Sequence, residues 1–170
     1  MTLSCGACNL CCRLLGVPDI HKPARMMCWW TSRHGGCSRH AEKPLEFDPN
    51  HDLMACKQFE CLWLASQAQD DPTKRMPRHM RPDLTHVVMG PQDRDDETLI
   101  YINVDPDHPA AWKEPEVFDY LDGIRQRGGR VELIVGEVNV ELFADGGTKA
   151  HATVYAAYPE ATEHTTRRAE

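Results

Sequence analysis

The sequence lacks an apolar run long enough to cross a bilayer, and it has fewer basic than acidic side chains. Hydrophobic residues make up 41% of the chain, and 19 Lys and Arg stand against 26 Asp and Glu. A membrane-spanning helix needs about 20 consecutive apolar residues, and nucleic acid or an anionic lipid surface attracts a basic protein. We therefore expect no partner of either kind, neither a nucleic acid nor a membrane.

The sequence also lacks the features of an export signal. Its first residues, MTLSCGACNLCCRLLG, contain neither a positive segment nor a continuous apolar one. This predicts a cytoplasmic location, where closely spaced thiols bind metal more often than they form disulfides. A P-loop and the G-x-S-x-G, H-E-x-x-H and G-x-G-x-x-G motifs are missing as well. The sequence therefore leaves open whether the protein is an enzyme.

What the sequence does contain is a group of thiols confined to its first part. No cysteine follows position 61, and the thiols are Cys5, Cys8, Cys11, Cys12, Cys28, Cys37, Cys56 and Cys61. A C-x2-C turn brings two sulfurs to one zinc or iron ion, and a third cysteine at the same spacing is typical of the start of a ferredoxin cluster motif. We predict all eight as candidate ligands for zinc or an iron-sulfur cluster. They would form either two four-sulfur sites or one site that leaves some thiols spare.

The sequence predicts an α+β fold in four segments. Residues 1–68 form a loop-rich, metal-stapled cysteine domain with short helices, one near residues 8–15 and one over 54–68. Residues 69–83 hold three prolines and form a connector. Residues 84–146 form a small antiparallel sheet carrying one helix that begins near Pro115 and ends at Gly128. Residues 147–170 are expected to be a partly disordered tail.

Other side chains of the cysteine region admit two interpretations. Four histidines could each replace a thiol in a Cys3His site, but with eight thiols present we expect them to be exposed loop residues; they are His21, His34, His40 and His51. Trp29 and Trp30 directly follow Cys28 and could shield a cluster from water. We expect them mainly to form the apolar core of this region.

Several of these motifs together resemble one known family. They are CGACNLCC at 5–12, GGC at 35–37, AEKP at 41–44 and CKQFECLWL at 56–64, and they are similar to the YkgJ-type cysteine cluster family, a zinc- or iron-chelating family. The chain departs from it in two ways, because eleven residues separate Pro44 from Cys56 and because Lys57 replaces an arginine. The resemblance implies metal binding and implies no particular reaction.

Three functions remain open from the sequence. The first is a metal-binding protein in which the thiols hold zinc or an iron-sulfur cluster. The second is a redox-active iron-sulfur protein that acts in electron transfer or as part of an oxidoreductase or modification enzyme. The third is a zinc-stabilised module that presents the acidic C-terminal unit to a partner protein, since residues 62–170 carry twelve basic and twenty acidic side chains.

Overall fold

The elements below come from a computed structural model that describes residues 6–32, 35–39, 42, 46, 48, 50–51, 56–57, 59–94, 97–136, 138–142 and 148–152. The α-helices are α1 (Leu10–Leu14), α2 (Leu62–Gln67), α3 (Pro82–Thr85) and α4 (Pro115–Gln126). The strands are β1 (Val87–Arg94), β2 (Glu97–Val104), β3 (Arg130–Val135), β4 (Val138–Leu142) and β5 (Thr148–Ala152). No helix in this part of the chain is long and apolar enough to cross a membrane.

The strands form one mixed sheet in the order β1-β2-β3-β4-β5. Neighbouring strands are antiparallel except β2 and β3, which are parallel. The predicted α+β class is confirmed, but the prediction of an antiparallel sheet is wrong. A parallel pair needs a long crossover, and α4 provides it between β2 and β3. The fifth strand lies within the segment 147–170 that we expected to be a tail.

Helix α4 forms where the sequence predicts a helix. Pro115 occupies its first turn, where the fixed φ of proline suits a helix and its missing N–H costs no intrahelical hydrogen bond. Val117 and Leu121 are each 1% exposed and pack against the sheet. Gly128, with φ of +81°, follows the end of the helix, a conformation that glycine adopts at little cost.

The first strand contributes to apolar clusters on both faces of the sheet. Successive side chains of a strand point to opposite faces. Val87 and Met89 belong to the core that contains Val117 and Leu121 of α4, whereas Val88 is fully buried in a second cluster with residues of the cysteine region. That second cluster consists of Cys8, Leu10, Leu14, Cys61, Leu64 and Val88. The cysteine region therefore covers one face of the sheet and α4 covers the other.

The proline-rich connector is anchored to α2. It contains two short 3-10 helices, Pro72–Lys74 and Arg78–Met80. The Gln67 side chain of α2 donates a hydrogen bond of 3.0 Å to the Met76 carbonyl, and Met76 and Met80 are buried in the core beneath α4. The connector thus joins the cysteine region to the helical face of the sheet, and it leads directly into α3 and β1.

Candidate metal centre

Thiols from both ends of the cysteine region line one small cavity. Cys8 and Cys11 from its start and Cys61 from its end enclose about 10 Å³, together with Trp63, Leu64 and Pro82. Cys8 and Cys61 are buried and Cys11 is half-buried. A cavity of this volume holds about one water molecule or ion. We call Cys8, Cys11 and Cys61 the first thiol group.

Helix α1 separates the adjacent cysteines Cys11 and Cys12. Leu10 and Leu14 bury the helix against the sheet, and consecutive helical side chains point in different directions. Cys11 lines the cavity, while the Cys12 carbonyl accepts a 3.0 Å hydrogen bond from the backbone N–H of Cys28. Of these two neighbours, Cys11 lines the cavity and Cys12 is not among the lining residues.

A buried lysine lies near four of the thiols. Lys22 is 1% exposed, and its Nζ donates hydrogen bonds to the carbonyls of Leu15 and Pro23. Burial lowers the pKa of Lys22, and negative charge on nearby thiolates acts in the opposite direction. Those thiols are Cys28, Cys12, Cys11 and Cys56. We call them the second thiol group, which shares Cys11 with the first.

A close backbone contact holds the loop before Cys37 against the loop before Cys8. Gly35 and Gly36 have φ of +84° and +71°, which favour glycine. A Cβ atom on Gly35 would lie 2.4 Å from the Ala7 carbonyl oxygen, and one on Gly36 would lie 2.8 Å from the Gly6 carbonyl oxygen. Cys37 also pairs with Thr31 in an isolated β-bridge. The GGC motif therefore places Cys37 in the same part of the fold as the opening cysteines.

The structure brings the predicted ligands into one region without assembling a complete metal site from the described residues. Cys8, Cys11, Cys12, Cys28, Cys37, Cys56 and Cys61 form no disulfides, and Cys5 lies outside the described residues. In the part of the chain that is described, no three thiols have all their sulfurs within 4.8 Å of one another. Metal binding by the eight cysteines therefore stays a prediction.

The predictions for the histidines and tryptophans of the cysteine region are met only in part. His21 is exposed and His51 is half-buried, while His34 and His40 lie outside the described residues. The expectation that Trp29 belongs to a core is wrong, because Trp29 is 52% exposed. Leucines of α1 and α2 form the apolar cluster of this region instead. Trp30 is half-buried and its ring contacts the Arg39 guanidinium at 4.4 Å.

The predicted helix over 54–68 is shorter than expected. Residues 56–57 are helical, but the chain is not helical at 59–61, and α2 begins only at Leu62. Cys61 has extended backbone angles immediately before α2. Residues 52–55 and 58 lie outside the described part. Cys56 and Cys61 therefore do not share one continuous helix, and they belong to different thiol groups.

Three further potential ligands meet at the end of the β1–β2 hairpin. His86, Asp105 and His108 bring one ligand atom each to within 4.8 Å of the others. The His86 Nδ1 atom lies 3.5 Å from Asp105 Oδ2, and the two imidazole rings stack with centroids 3.6 Å apart. The Asp105 side chain is 3% exposed and forms an ion pair with Arg13 of α1. Among the described residues, this is the one group of three that satisfies the distance.

The backbone fixes this arrangement. Val87 pairs with Val104, so His86 and Asp105 flank the first pair of the ladder, and the Asp105 N–H donates to the His86 carbonyl at 2.9 Å. Asp105 Oδ1 accepts the N–H of Asp107 at 3.0 Å in an Asx turn, which returns His108 to Asp105. His86 has φ of +58°, a region in which histidine is several-fold enriched.

Sequence reasoning missed these three residues because no motif marks them. They are not spaced like a known metal-binding signature, and two of them are separated by an entire hairpin. The signal that would have found them is the strand register, since a hairpin closed from Val87 to Val104 places the flanking residues opposite each other. The sequence predicts an antiparallel sheet over residues 84–146, but it does not fix the register of this hairpin.

Tyr101 of β2 lies on the face of the sheet that the cysteine region covers. It pairs with Gly90 of β1, where a Cβ atom would lie 2.8 Å from the Tyr101 hydroxyl. Burial raises the pKa of Tyr101 to about 12, and negative charge on Cys11 and Cys61 adds to this effect. The phenol therefore stays protonated beside the first thiol group.

Comparisons with known proteins add no relative. No protein-family model matches the chain, and neither a curated protein nor a solved structure matches it. The candidate site therefore has to be interpreted from its own residues.

Gly35→Ala tests the close contact between the GGC loop and the opening cysteines. The new Cβ would collide with the Ala7 carbonyl at an unfavourable φ, so we expect a loss of about 2–5 kcal/mol in the free energy of unfolding. Gly128→Ala is the matched control, because its φ of +81° is similar and nothing lies within 4 Å. It should cost only about 1–2 kcal/mol. Equal losses in denaturant unfolding would contradict the contact.

The raised pKa of Tyr101 leads us to expect that the protein loses stability at alkaline pH. Its pKa is about 12 in the folded chain and about 10 when unfolded, so the unfolded chain releases the proton first. The stability that the protonated phenol provides is complete below pH 10 and falls as the pH rises towards 12. Tyr101→Phe should reduce the slope of unfolding free energy against pH in that interval. An unchanged slope would show that the phenol ionises equally in both states.

Proposed function

We propose that the cysteines of the protein bind either zinc or an iron-sulfur cluster. The observation that carries this proposal is the convergence of Cys8, Cys11 and Cys61 on one cavity, although they come from opposite ends of the cysteine region. Thiolates are the ligands that zinc and iron-sulfur clusters prefer. Binding would draw these sulfurs, and others of the eight, together around the metal.

The charge around the second thiol group supports the same proposal. A site with four thiolates carries net negative charge even when it holds a divalent ion, and burying that charge is costly without a cation nearby. The Lys22 ammonium provides a positive charge that is almost fully removed from water. Its hydrogen bonds to two carbonyls hold it in place. Cys12, Cys28 and Cys56 thus face a counter-charge that suits them as thiolates.

The cysteine region also needs a source of stability that its regular structure does not supply. Helices α1 and α2 contain five and six residues, and isolated helices of this length are marginal. Apart from the helical residues 56–57, the rest of the described region consists of turns, bends, isolated bridges, irregular segments and 3-10 helices. Metal binding supplies free energy of folding directly in such segments. We therefore assign the metal a structural role at least.

The identity of the metal decides between the two leading functions. Zinc has no redox chemistry and would make the site structural, whereas an iron-sulfur cluster would make it an electron-transfer centre. Protein purified under anaerobic conditions distinguishes them by elemental analysis and by absorption. A brown protein that contains iron and sulfide supports the redox function, and a colourless protein that contains zinc supports the structural one.

Cys61→Ser tests whether the first thiol group binds the metal. A hydroxyl is a poor ligand for either metal, so we expect the variant to lose metal relative to the wild type. Leu64→Ala is the matched control, because Leu64 is buried, lines the same cavity and carries no thiol. It should lose about 2–5 kcal/mol of stability but retain its metal. Full metal content in Cys61→Ser, measured by elemental analysis, would contradict the assignment.

Lys22→Met tests the counter-charge with a side chain of similar length. In metal-loaded protein the thiolates lose their buried cation, so we expect transfer of metal to a chelator to become about 10- to 100-fold more favourable. In metal-free protein the substitution also removes the cost of burying the ammonium. The loss of unfolding free energy should therefore be larger with metal than without it. Identical losses in both forms would mean that Lys22 does not interact with a bound metal.

A further inference from the structure

We propose that His86, Asp105 and His108 form a second metal site, independent of the cysteines, that takes a divalent first-row transition metal. Two imidazoles and one carboxylate are a ligand set that zinc, ferrous iron and cobalt accept. Their ligand atoms already lie within 4.8 Å of one another. Two ligands bound to one metal at about 2.1 Å each are necessarily within about 4.2 Å of each other. Metal binding would therefore require the ligand atoms to close in slightly and the two stacked imidazole rings to rotate so that both nitrogens point at the ion.

The ion pair with Arg13 leaves Asp105 able to bind a metal. A carboxylate offers about four lone-pair positions. The Arg13 guanidinium and His86 both face Oδ2, and the Asp107 N–H uses one position on Oδ1. Arg13 therefore acts as a positioning residue that holds the buried carboxylate in a fixed orientation, in the way that outer partners orient metal ligands.

The surrounding charge favours a cation. Arg13 is itself shared between Asp105 and Asp107, with 3.0 Å to Asp107. Glu114 and Glu116 line the cavity beside the two histidines. Asp105, Asp107, Glu114 and Glu116 thus place four carboxylates in this neighbourhood, and a divalent ion would offset part of their negative charge.

The site opens into a cavity of about 400 Å³ lined by His86 and His108. Three protein ligands leave at least one coordination position free, as in catalytic rather than structural metal sites. The cavity is large enough for water and a small ligand at that position. We infer a site whose metal exchanges ligands with solvent, which contrasts with the enclosed cavity of the first thiol group.

Cobalt(II) is the probe, because its absorption reports the ligand type. Protein purified with its native metal is dialysed against Co²⁺, and the additional bound metal is counted. We expect one further equivalent per chain, with the visible bands of nitrogen and oxygen ligation and without sulfur-to-cobalt charge transfer. His86→Ala and His108→Ala should weaken this binding more than about 100-fold, since loss of an outer partner alone costs about 10–100-fold.

His79→Ala is the control, because His79 is exposed and lines the same cavity but does not belong to the three ligands. It should keep the additional equivalent. Cys61→Ser should also keep it, so that a failure of the cysteine proposal and a failure of this one give different results. The proposal is overturned if the wild type takes up no additional cobalt, if His86→Ala and His108→Ala bind it as the wild type does, or if His79→Ala loses it equally.

Discussion

The buried carboxylate of Asp105 constrains how the cysteine region meets the sheet. Its side chain is 3% exposed and forms an ion pair with Arg13, and a buried charge without a partner is strongly destabilising. Arg13 directly follows Cys12 in α1, and Asp105 directly follows β2. This pair therefore fixes the orientation of α1, and with it Cys11 and Cys12, relative to the hairpin. The leucines of α1 pack in the same apolar cluster as Val88.

The sheet tolerates this arrangement because both faces of β1 are covered. Val87 and Met89 are buried beneath α4, and Val88 is buried beneath the cysteine region. On its own, a region of short helices and turns would leave too much apolar surface exposed to water. Here that surface is buried against one face of the sheet. The small residue Gly90 leaves room for the Tyr101 ring on the same face. Packing against the sheet therefore contributes to the stability of the cysteine region.

Local signals in the sequence predict local elements and antiparallel neighbours, but they do not predict the register or the parallel pair. Pro115 and Gly128 mark the ends of α4, and β-branched runs mark β1 and β2, so these elements follow from the sequence. The parallel pairing of β2 with β3 depends on where α4 packs, which no local pattern records. The spacing of the cysteines indicates metal chemistry at once, whereas His86, Asp105 and His108 come together only through the register of a hairpin. Trp29 is exposed, and leucines of α1 and α2 form the apolar cluster of this region.

Two charged side chains are buried in the described part of the chain, Lys22 and Asp105. Lys22 lies near the second thiol group, and Asp105 belongs to the proposed site with His86 and His108. Burying a charge costs free energy that packing alone does not return, so such residues need a compensating partner of opposite sign. Lys22 lies among thiols, which become anionic when they bind metal. Asp105 lies beside two imidazoles, which bind a cation when neutral. The two proposed sites therefore differ in the sign of their buried charge, a cation near the thiols and an anion beside the histidines that Arg13 balances.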